Sequence, residues 1–370
     1  MEGDVILVVV IATALAFDFT NGFHDTANVV ATSISTRALP PRVAVGVAAL
    51  LNFAGAFISL KVAETVGKGF VDTAEVTTTI VFAGLIGAIA WNLATWYFGL
   101  PSSSSHALIG GLVGSMFVAQ GASAIDWNGL LGKLIVPAVV APLLAFLAAG
   151  LAITIVYRIV GRSRPGPVAR SFRLGQLVSG GLLALSHGTN DAQKTMGVMT
   201  LALVAHGSLK PGSFHVPTWV VLSAASAIAL GTFIGGWRII RTMGMRIIRM
   251  DPAQGFAAQG TGATVILAAS AAGYPLSTTH VISGGIMGAG AAKRLSAVRW
   301  GVAGNIAFAW VLTLPAAAAV GALAYGVSVL FGNGPLGPLL ISISLLALIS
   351  AVFARRLRGS RAPSGGYAAS

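Results

Sequence analysis

Two runs of polar residues each occur twice in this chain, and each copy lies inside an otherwise apolar stretch. The run PSSSSHALIGGLVG at 101–114 returns as PLSTTHVISGGIMG at 275–288, with a constant offset of 174 residues. The run NGFHDTAN at 21–28 returns as HGTNDAQK at 187–194, with an offset of 166 residues. Polar groups are costly inside a membrane. Their presence in both halves of an apolar chain therefore predicts one central site in a duplicated core.

The second pair of runs contains carboxylates, which suit a cation or a proton. Asp25 and Asp191 occupy the same position in the two runs, and Asn21 lies one helical turn before Asp25. A carboxylate repels an oxyanion, so we assign Asp25, Asp191 and Asn21 to cation or proton coupling. Desolvation favours the protonated form of a carboxyl group, so either aspartate can carry a proton. The structural alternative is an ion pair with a lysine or arginine of a helix.

The first pair of runs contains hydroxyls, which suit an oxyanion. Both runs follow a proline and precede an apolar helix, so we expect their hydroxyls in the cap and first turn of that helix. Hydroxyl groups and free N–H groups at a helix start together form an anion cradle. The residues assigned to this cradle are Ser103, Ser104, Ser105, Ser277, Thr278 and Thr279. As an alternative, these hydroxyls bond back to carbonyls of the preceding turn.

Further residues of the 21–28 and 187–194 runs complete the expected anion site. Asn28 and Asn190 offer side-chain amides, and Lys194 brings a fixed positive charge where the matched residue is Asn28. The alternatives are that the asparagines cap interrupted helices and that Lys194 extends to the membrane interface. Two histidines of the hydroxyl-rich runs, at 106 and 280, fit buried core residues as well as they fit site residues.

The composition of the chain is that of a membrane protein. Hydrophobic residues make up 55% of the 370 residues and charged residues 9%, whereas a soluble domain has about 25% charged residues. The net charge of +13 comes largely from arginines in short segments beside apolar runs, a positive-inside pattern rather than a nucleic-acid surface. The chain has no cysteine, which excludes disulfide and thiolate chemistry. We therefore predict a multi-pass protein of the cell (inner) membrane that binds no nucleic acid.

Eleven apolar stretches are candidates for membrane segments. They are 4–35, 43–60, 76–98, 102–120, 131–157, 174–205, 217–237, 254–273, 276–292, 300–326 and 335–354. The first and the sixth contain polar runs in which glycine, asparagine and aspartate predict broken helices. An odd number of segments in each half gives the two halves opposite orientations. We thus predict an all-α polytopic membrane protein with an inverted-topology repeat, broken helices and about 10–12 transmembrane segments.

The basic segments divide the chain and orient it. We expect the first repeat at 1–157, a cytoplasmic basic loop at 158–173, the second repeat at 174–326, and a final transmembrane helix with a basic cytoplasmic tail at 327–370. This arrangement puts the N-terminus outside the cell and the C-terminus inside. It leaves open whether the hydroxyl-rich runs lie on full spans or on re-entrant hairpins.

The motifs resemble those of the inorganic phosphate transporter (PiT) family over roughly residues 10–320. GFHDTAN and GTNDAQK resemble the family's duplicated signature, PSSSSH and PLSTTH its paired serine motifs, and WNLATWYFGLPSSSSH and GWRIIRTMG further family sequence. The bacterial low-affinity branch is most similar, because its second motif also ends in Gln-Lys. The resemblance implies symport of inorganic phosphate with a coupling cation across the lipid bilayer, by a homodimer without a cofactor.

The resemblance also bears on the coupling ion. Sodium-coupled members of the family carry glutamates at positions matched here by Asn52 and Gln259, which we include in the coupling site. Fewer carboxylates, together with the positive charge of Lys194, favour a proton over sodium. The resemblance to the low-affinity branch implies that phosphate arrives as a neutral complex with a divalent metal, which lowers the desolvation cost. Sodium coupling remains the alternative.

Other functions fit the pattern less well. A sulfate permease is the nearest rival, because sulfate differs from phosphate at neutral pH in lacking a proton to donate to a carboxylate. An intramembrane metal hydrolase needs a compact ligand set such as H-E-x-x-H, which the sequence lacks. A duplicated core also suits alternating access better than it suits a single catalytic centre. A channel is similarly disfavoured.

Overall fold

The computed structural model describes residues 2–210, 214–332 and 334–360, with side chains through residue 351. These residues form fourteen α-helices, which are α1 (Glu2–Ser35), α2 (Pro41–Gly55), α3 (Lys61–Lys68), α4 (Thr78–Phe98), α5 (Ser104–Gln120), α6 (Trp127–Gly129), α7 (Val136–Val160), α8 (Pro165–Ala205), α9 (Thr218–Ile234), α10 (Trp237–Arg241), α11 (Pro252–Ala271), α12 (Thr278–Ala291), α13 (Trp300–Val329) and α14 (Leu336–Ser360). A π-helical turn, Leu130–Ile135, joins α6 to α7, and another, Thr242–Arg246, continues α10.

Every apolar segment expected from the sequence contains one of these helices, so the prediction of an all-α polytopic chain is confirmed. By length and composition, four of the described helices suffice to cross a bilayer, or five if the bent pair at α9 and α10 counts as one span. A straight span needs about 20 helical residues. Shorter helices such as α2, with 15 residues, do not meet this length by themselves, so the larger number of spans stays a prediction.

The expected interruptions within α1 and α8 do not occur, and that prediction is wrong. Both helices run unbroken through their polar segments, 18–25 and 186–191. The hydroxyls of these segments bond to carbonyls one turn back, as Thr189 does to Leu185. Packing of the segments among other helices supplies partners for some of the remaining polar groups, as for Asn190, which donates to the Leu276 carbonyl. The backbone therefore keeps its own hydrogen bonds.

A helix break does occur between α9 and α10. The two helical segments, Thr218–Ile234 and Trp237–Arg246, meet at an angle of 58°. Gly235 at the junction has a φ of +75°, in the left-handed region that glycine adopts without steric cost. The bend is thus a property of this glycine rather than of the polar runs.

The predicted basic loop at 158–173 is also largely wrong, because most of it is helical. α7 ends at Val160 and α8 begins at Pro165, which leaves only residues 161–164 between them. Proline is favoured at the first position of a helix because its fixed φ fits there and its missing N–H needs no partner. The high charge of this segment is typical of a loop, but its residues form the polar ends of two long helices, α7 and α8.

Two helical hairpins bring the hydroxyl-rich runs together. The first consists of α4 and α5, and the second of α11 and α12. The imidazole rings of His106 and His280, in the first turns of α5 and α12, stand 4.7 Å apart. Ser105 Oγ lies 3.4 Å from the carbonyl of Leu276, just before α12. The two tips thus meet inside the protein. Because α4 is itself long and apolar enough to cross a bilayer, the choice between re-entrant hairpins and full spans stays a prediction.

Each hairpin packs against one long helix, and the two contacts have the same register. Glycines on α5 lie against the backbone of α13, and glycines on α12 lie against the backbone of α7. The four contacts are Gly110 with Leu314, Gly114 with Ala318, Gly284 with Pro142, and Gly288 with Phe146. The absence of side chains at these glycines lets the helix backbones approach closely.

The helices that carry the two aspartates pack in a matching way. Gly22 of α1 lies against Ile228 of α9, and Gly188 of α8 lies against Asn52 of α2. Each of these helices thus packs on a partner from the other predicted repeat. The two repeats are therefore interleaved in space rather than forming two separate bodies.

The polar segments of α1 and α8 lie between two apolar clusters. One cluster includes buried residues of α1 from 6 to 17 and of α8 from 192 to 203. The other includes 27–31 of α1 and 183–184 of α8. The polar centre is therefore enclosed by apolar packing along both helices.

Candidate functional site

The polar segments of α1 and α8 run side by side in opposite directions. Asp18 of α1 neighbours Thr195 of α8, whereas Asp25 lies with His187 and Asp191, their ligand atoms all within 4.8 Å of one another. Successive residues of α1 therefore lie beside residues of α8 in reverse order, so the two helices are antiparallel here. All five side chains are buried. The structure thus brings the two predicted aspartates into one cluster.

Each of these two aspartates has a nitrogen partner. His24 Nδ1 lies 2.6 Å from Asp25 Oδ1, and Lys194 Nζ lies 2.6 Å from Asp191 Oδ1. His187 Nε2 lies 3.2 Å from the second oxygen of Asp191. The ion pair that the sequence left as an alternative for Asp191 is therefore present. Two carboxylates and an imidazole this close together can also hold a cation between them.

Lys194 connects the aspartate cluster to both hairpins. Its ammonium donates to Ser105 Oγ of α5 at 2.5 Å, to Asp191 Oδ1 at 2.6 Å and to the Leu276 carbonyl before α12 at 2.8 Å. The lysine is only 1% exposed, so the alternative that it extends to the membrane interface is wrong. It fixes a positive charge where the two hairpin tips meet.

The first turn of α12 faces the aspartates. Thr278 Oγ1 lies 3.4 Å from Asp25 Oδ2 and 3.5 Å from Asp191 Oδ2. Asn28 donates from Nδ2 to Thr279 Oγ1 at 2.8 Å. The predicted hydroxyls and amide therefore share one small region with the carboxylates.

The first turn of α5 supplies the matching hydroxyls. Ser103 caps α5 by accepting the His106 N–H at 3.1 Å, and Ser277 caps α12 by accepting the His280 N–H at 3.3 Å. The prediction that these runs occupy the cap and first turn is confirmed. Ser104 Oγ is buried and has no hydrogen-bond partner among the described residues.

Two helix starts thus reach the same polar centre. The first N–H groups of a helix have no partner within it, and the helix dipole adds partial positive charge there. α5 and α12 bring these N–H groups together with hydroxyls, and Lys194 adds a full positive charge. Such an arrangement can bind an oxyanion. The neighbouring carboxylates can accept a proton or hold a cation beside that anion.

Asn21 and Asn190 also belong to this centre. Asn190 donates from Nδ2 to the Leu276 carbonyl at 2.9 Å. The side-chain oxygens of both asparagines are buried and accept no hydrogen bond within the described part of the chain. Since α1 and α8 are unbroken, neither asparagine caps an interrupted helix, and that alternative is wrong.

Asn52 and Gln259 are not part of the aspartate cluster. Asn52 donates to Thr232 Oγ1 at 2.8 Å. Gln259 donates to Ser33 Oγ at 2.7 Å and accepts from Ser179 at 3.0 Å. Ser33 lies about 12 Å beyond the aspartate cluster along α1. The hydrogen bonds of both amides thus go to partners other than the two aspartates, although the Asn52 backbone packs against Gly188 beside His187.

His106 and His280 lie behind the cradle. The ring of His280 stacks on Trp310 of α13 at 4.0 Å, and its Nδ1 lies 3.2 Å from the Ala138 carbonyl. Both histidines line a cavity of about 720 Å³ with apolar walls between α7 and α13. Of the two roles left open for this pair, the geometry favours packing.

Three buried residues at the centre were not among the predicted site residues: Asp18, His24 and His187. His24 Nε2 also lies 3.1 Å from Thr95 and 3.3 Å from Ser102, which links the cluster to the loop before α5. A polar residue within an apolar run is itself a signal. The duplication does not single these residues out, because the two histidines hold unmatched positions and Asp18 lies outside the repeated run.

The chain is similar to known proteins that are described as phosphate transporters. The model of a family described as "Phosphate transporter family" matches residues 21–321. The chain belongs to this family. A "Probable low-affinity inorganic phosphate transporter" of Mycobacterium tuberculosis H37Rv is 50% identical over 358 residues, which is 97% of this chain and 85% of the relative. A protein of the same description from Rhizobium meliloti 1021 is 53% identical over 321 residues, 86% of this chain and 96% of the relative.

A solved structure shares the fold. The protein titled "The sodium-dependent phosphate transporter" matches with a TM-score of 0.80 and 26% identity, covering 87% of this chain and 98% of that chain. The resemblance seen in the motifs is thereby confirmed. This member of the phosphate transporter family is a multi-pass membrane protein rather than an enzyme, and we place it in the cell membrane with its bacterial relatives.

Proposed function

We propose that this phosphate transporter is a symporter that moves inorganic phosphate together with protons by alternating access. The proposal rests mainly on the position of Lys194, whose ammonium contacts both hairpin tips and Asp191. A phosphate bound beside this ammonium lies between the starts of α5 and α12. The bound phosphate then contacts residues from both halves of the chain at once.

In this proposal hydroxyls and amides donate to the phosphate oxygens, while the carboxylates bind the cation. The donors are Ser103, Ser104, Ser105, Ser277, Thr278, Thr279, Asn28, Asn190 and Lys194. Hydrogen bonds to a charged acceptor contribute about 1.5–3 kcal/mol each. Asp25 and Asp191 serve the cation, with Asn21 beside them. Asn52 and Gln259 support the surrounding helices, because their amides bind other side chains.

The charges at the site support phosphate entering with a divalent metal. Asp191 and Lys194 already neutralise one another at 2.6 Å. A doubly charged phosphate therefore needs its own cation to leave water at low cost. The oxygen and nitrogen atoms of Asp25, His187 and Asp191 lie close enough together to hold that metal as part of the cargo.

The matching helix contacts support an inverted repeat and alternating access. α5 packs on α13 in the register in which α12 packs on α7, and α1 and α8 pass each other in opposite directions at the centre. Two equivalent halves in opposite orientation give two mirror-like conformations, open to either side. The family resemblance supports assembly as a homodimer.

Sodium coupling is the second candidate, because the solved structure of similar fold is titled as sodium-dependent. The buried ammonium of Lys194 opposes it here. This ammonium occupies one side of the Asp191 carboxylate and repels an unaccompanied cation there, whereas a divalent metal that arrives with phosphate brings compensating negative charge.

Uptake of labelled phosphate into proteoliposomes tests the substrate. We expect excess unlabelled phosphate and arsenate to compete and excess sulfate to have little effect, since sulfate has no proton to donate to Asp25 or Asp191. Liposomes with the Asp25→Asn variant provide the background. Sulfate competing as strongly as phosphate would instead identify a sulfate permease.

A further inference from the structure

Asp18 is a buried carboxylate without an ion-pair partner among the described residues. It lies on α1 within a stretch that is long and apolar enough to span the membrane. The residue is 0% exposed. No described donor lies at good hydrogen-bonding distance and angle to either carboxylate oxygen, and the nearest polar side chains, Asn21 and Thr195, interact with it only weakly. This is unusual, because buried charged groups in proteins are nearly always paired.

The other two buried aspartates of the centre differ from Asp18 in this respect. Asp25 has His24 at 2.6 Å, and Asp191 has Lys194 at 2.6 Å. The charged groups that face Asp18 are Asp191 and Lys194, both on α8. Since the ammonium of Lys194 is already bound to Asp191, the positive charge nearest to Asp18 is largely neutralised.

The position of Asp18 offers an ionised carboxylate no ion-pair partner of its own. An ionised carboxylate without a partner is strongly disfavoured in a low-dielectric interior, and the negative charge of Asp191 disfavours it further. The neighbouring polar side chains, Asn21 and Thr195, each have a buried oxygen without a partner among the described residues. A carboxylic acid can donate one hydrogen bond, which an ionised carboxylate cannot do.

Asp18 is also placed to respond to the substrate site. It lies seven residues before Asp25 on an unbroken helix, which is two turns and about 10 Å along the same face. It also faces the Asp191–Lys194 pair that reaches both hairpin tips. A rearrangement of the hairpins that moves Lys194 changes the balance of charge around Asp18.

We propose that Asp18 is the carboxyl group that carries the coupling proton. This inference rests on the proposed proton symport and names its proton-binding group. Asp18 takes up one proton from the side to which the transporter is open and is neutral while the loaded core changes conformation. It releases the proton on the opposite side, and no covalent bond to phosphate is formed. Asp25 and Asp191 remain with their nitrogen partners and the cargo cation.

The test separates coupling from phosphate movement. Asp18→Asn mimics the protonated side chain permanently, Asp18→Glu keeps a carboxyl group, and Asp4→Asn removes an exposed carboxylate from the same helix as the matched control. Each is reconstituted into liposomes. Two rates are measured: exchange of labelled for unlabelled phosphate at equal pH, and net accumulation driven by an inward proton gradient. Thermal unfolding in detergent checks folding.

We expect Asp18→Asn to retain exchange and the wild-type unfolding temperature but to lose gradient-driven accumulation. Asp18→Glu and Asp4→Asn should show both activities. Accumulation by Asp18→Asn at the wild-type level would overturn the assignment, as would loss of exchange in a folded variant, which would place Asp18 in phosphate binding. Failure of the wild type itself to accumulate phosphate with a proton gradient would reject proton symport, a result distinct from failure of the Asp18 inference.

Discussion

At the residue scale, the ion pair between Asp191 and Lys194 combines a structural contact with a proposed functional role. Both side chains are at most 1% exposed, and their charged atoms lie 2.6 Å apart. Removing one partner of a buried pair leaves an uncompensated charge, which typically costs about 3–5 kcal/mol. The partner of Asp25 is the imidazole of His24, which can be neutral, so replacing Asp25 leaves no fixed charge unpaired.

We expect Asp191→Asn to lower the unfolding temperature in detergent and to abolish transport, because the Lys194 ammonium is left unpaired. The double variant Asp191→Asn with Lys194→Met should recover stability while remaining inactive. Asp25→Asn, in comparison, should be inactive with near-normal stability. Thermal unfolding and phosphate uptake are measured on all three. An active Asp25→Asn or Asp191→Asn would contradict the assignment of the aspartates to the site.

A second prediction concerns the hydroxyls at the hairpin tips. Ser105→Ala and Thr279→Ala each remove a donor to the phosphate, which is worth about 1.5–3 kcal/mol, or roughly a ten- to hundredfold rise in KM. Ser115→Ala is the control on the same helix as Ser105, since Ser115 bonds only to carbonyls of Ile80 and Leu112. Initial rates of uptake over a range of phosphate concentrations provide the KM values. Unchanged KM in both tip variants would leave these hydroxyls with a structural role only.

Most of the centre could be predicted from the sequence because duplication marks it. Asp25 and Asp191 are in register between the two runs, and the structure places them together. The contacts of Lys194 could not be predicted, because they depend on how the two hairpin tips meet. Asn52 and Gln259 were assigned by matching to a family, and such matching carries no information on which partners their amides find.

At the element scale, the number and position of the helices follow from hydropathy, whereas their continuity does not. Glycine and asparagine inside α1 and α8 predicted breaks, but in both helices the glycines serve close approach. Gly22 lies against the α9 backbone, and Gly188 lies against the α2 backbone. Sequence patterns cannot distinguish a glycine that bends a helix from one that lets the backbone of another helix approach closely, because the distinction depends on tertiary packing.

This packing role predicts a contrast between two glycine variants. Gly22→Ala would place a methyl group against the Ile228 carbonyl, whereas Gly46→Ala on α2 meets open space. We expect Gly22→Ala to destabilise the protein by about 1–3 kcal/mol through overpacking and to slow transport. Gly46→Ala should be neutral or stabilising by up to about 1 kcal/mol. Thermal unfolding of the two variants in the same detergent compares them, and equal stabilities would contradict the close-packing account.

At the scale of the whole molecule, the two predicted halves are interleaved, which suits the proposed opening of one site to both sides. Each half supplies one aspartate and one hairpin tip to the centre. The helices of one half rest on those of the other, so neither half moves without changing the contacts of both.

The orientation of the chain gives a separate prediction. Single cysteines are readily introduced, because the sequence has none. A membrane-impermeant thiol reagent applied to intact cells should label a cysteine at position 4 and spare one at position 166, which follows the start of α8. Permeabilised cells serve as the control, in which both positions should react. The reverse pattern in intact cells would overturn the orientation, and labelling of both would contradict the number of spans between them.

The central claim is that phosphate moves with protons, and the direct measurement is uptake by the purified, reconstituted protein under imposed gradients. Labelled phosphate is supplied with an inward proton gradient in the absence of sodium, and then with the divalent metal chelated. We predict accumulation above equilibrium without sodium, abolished by collapsing the proton gradient and strongly reduced by removing Mg²⁺. Uptake that requires an inward sodium gradient and is indifferent to both protons and Mg²⁺ would contradict the account.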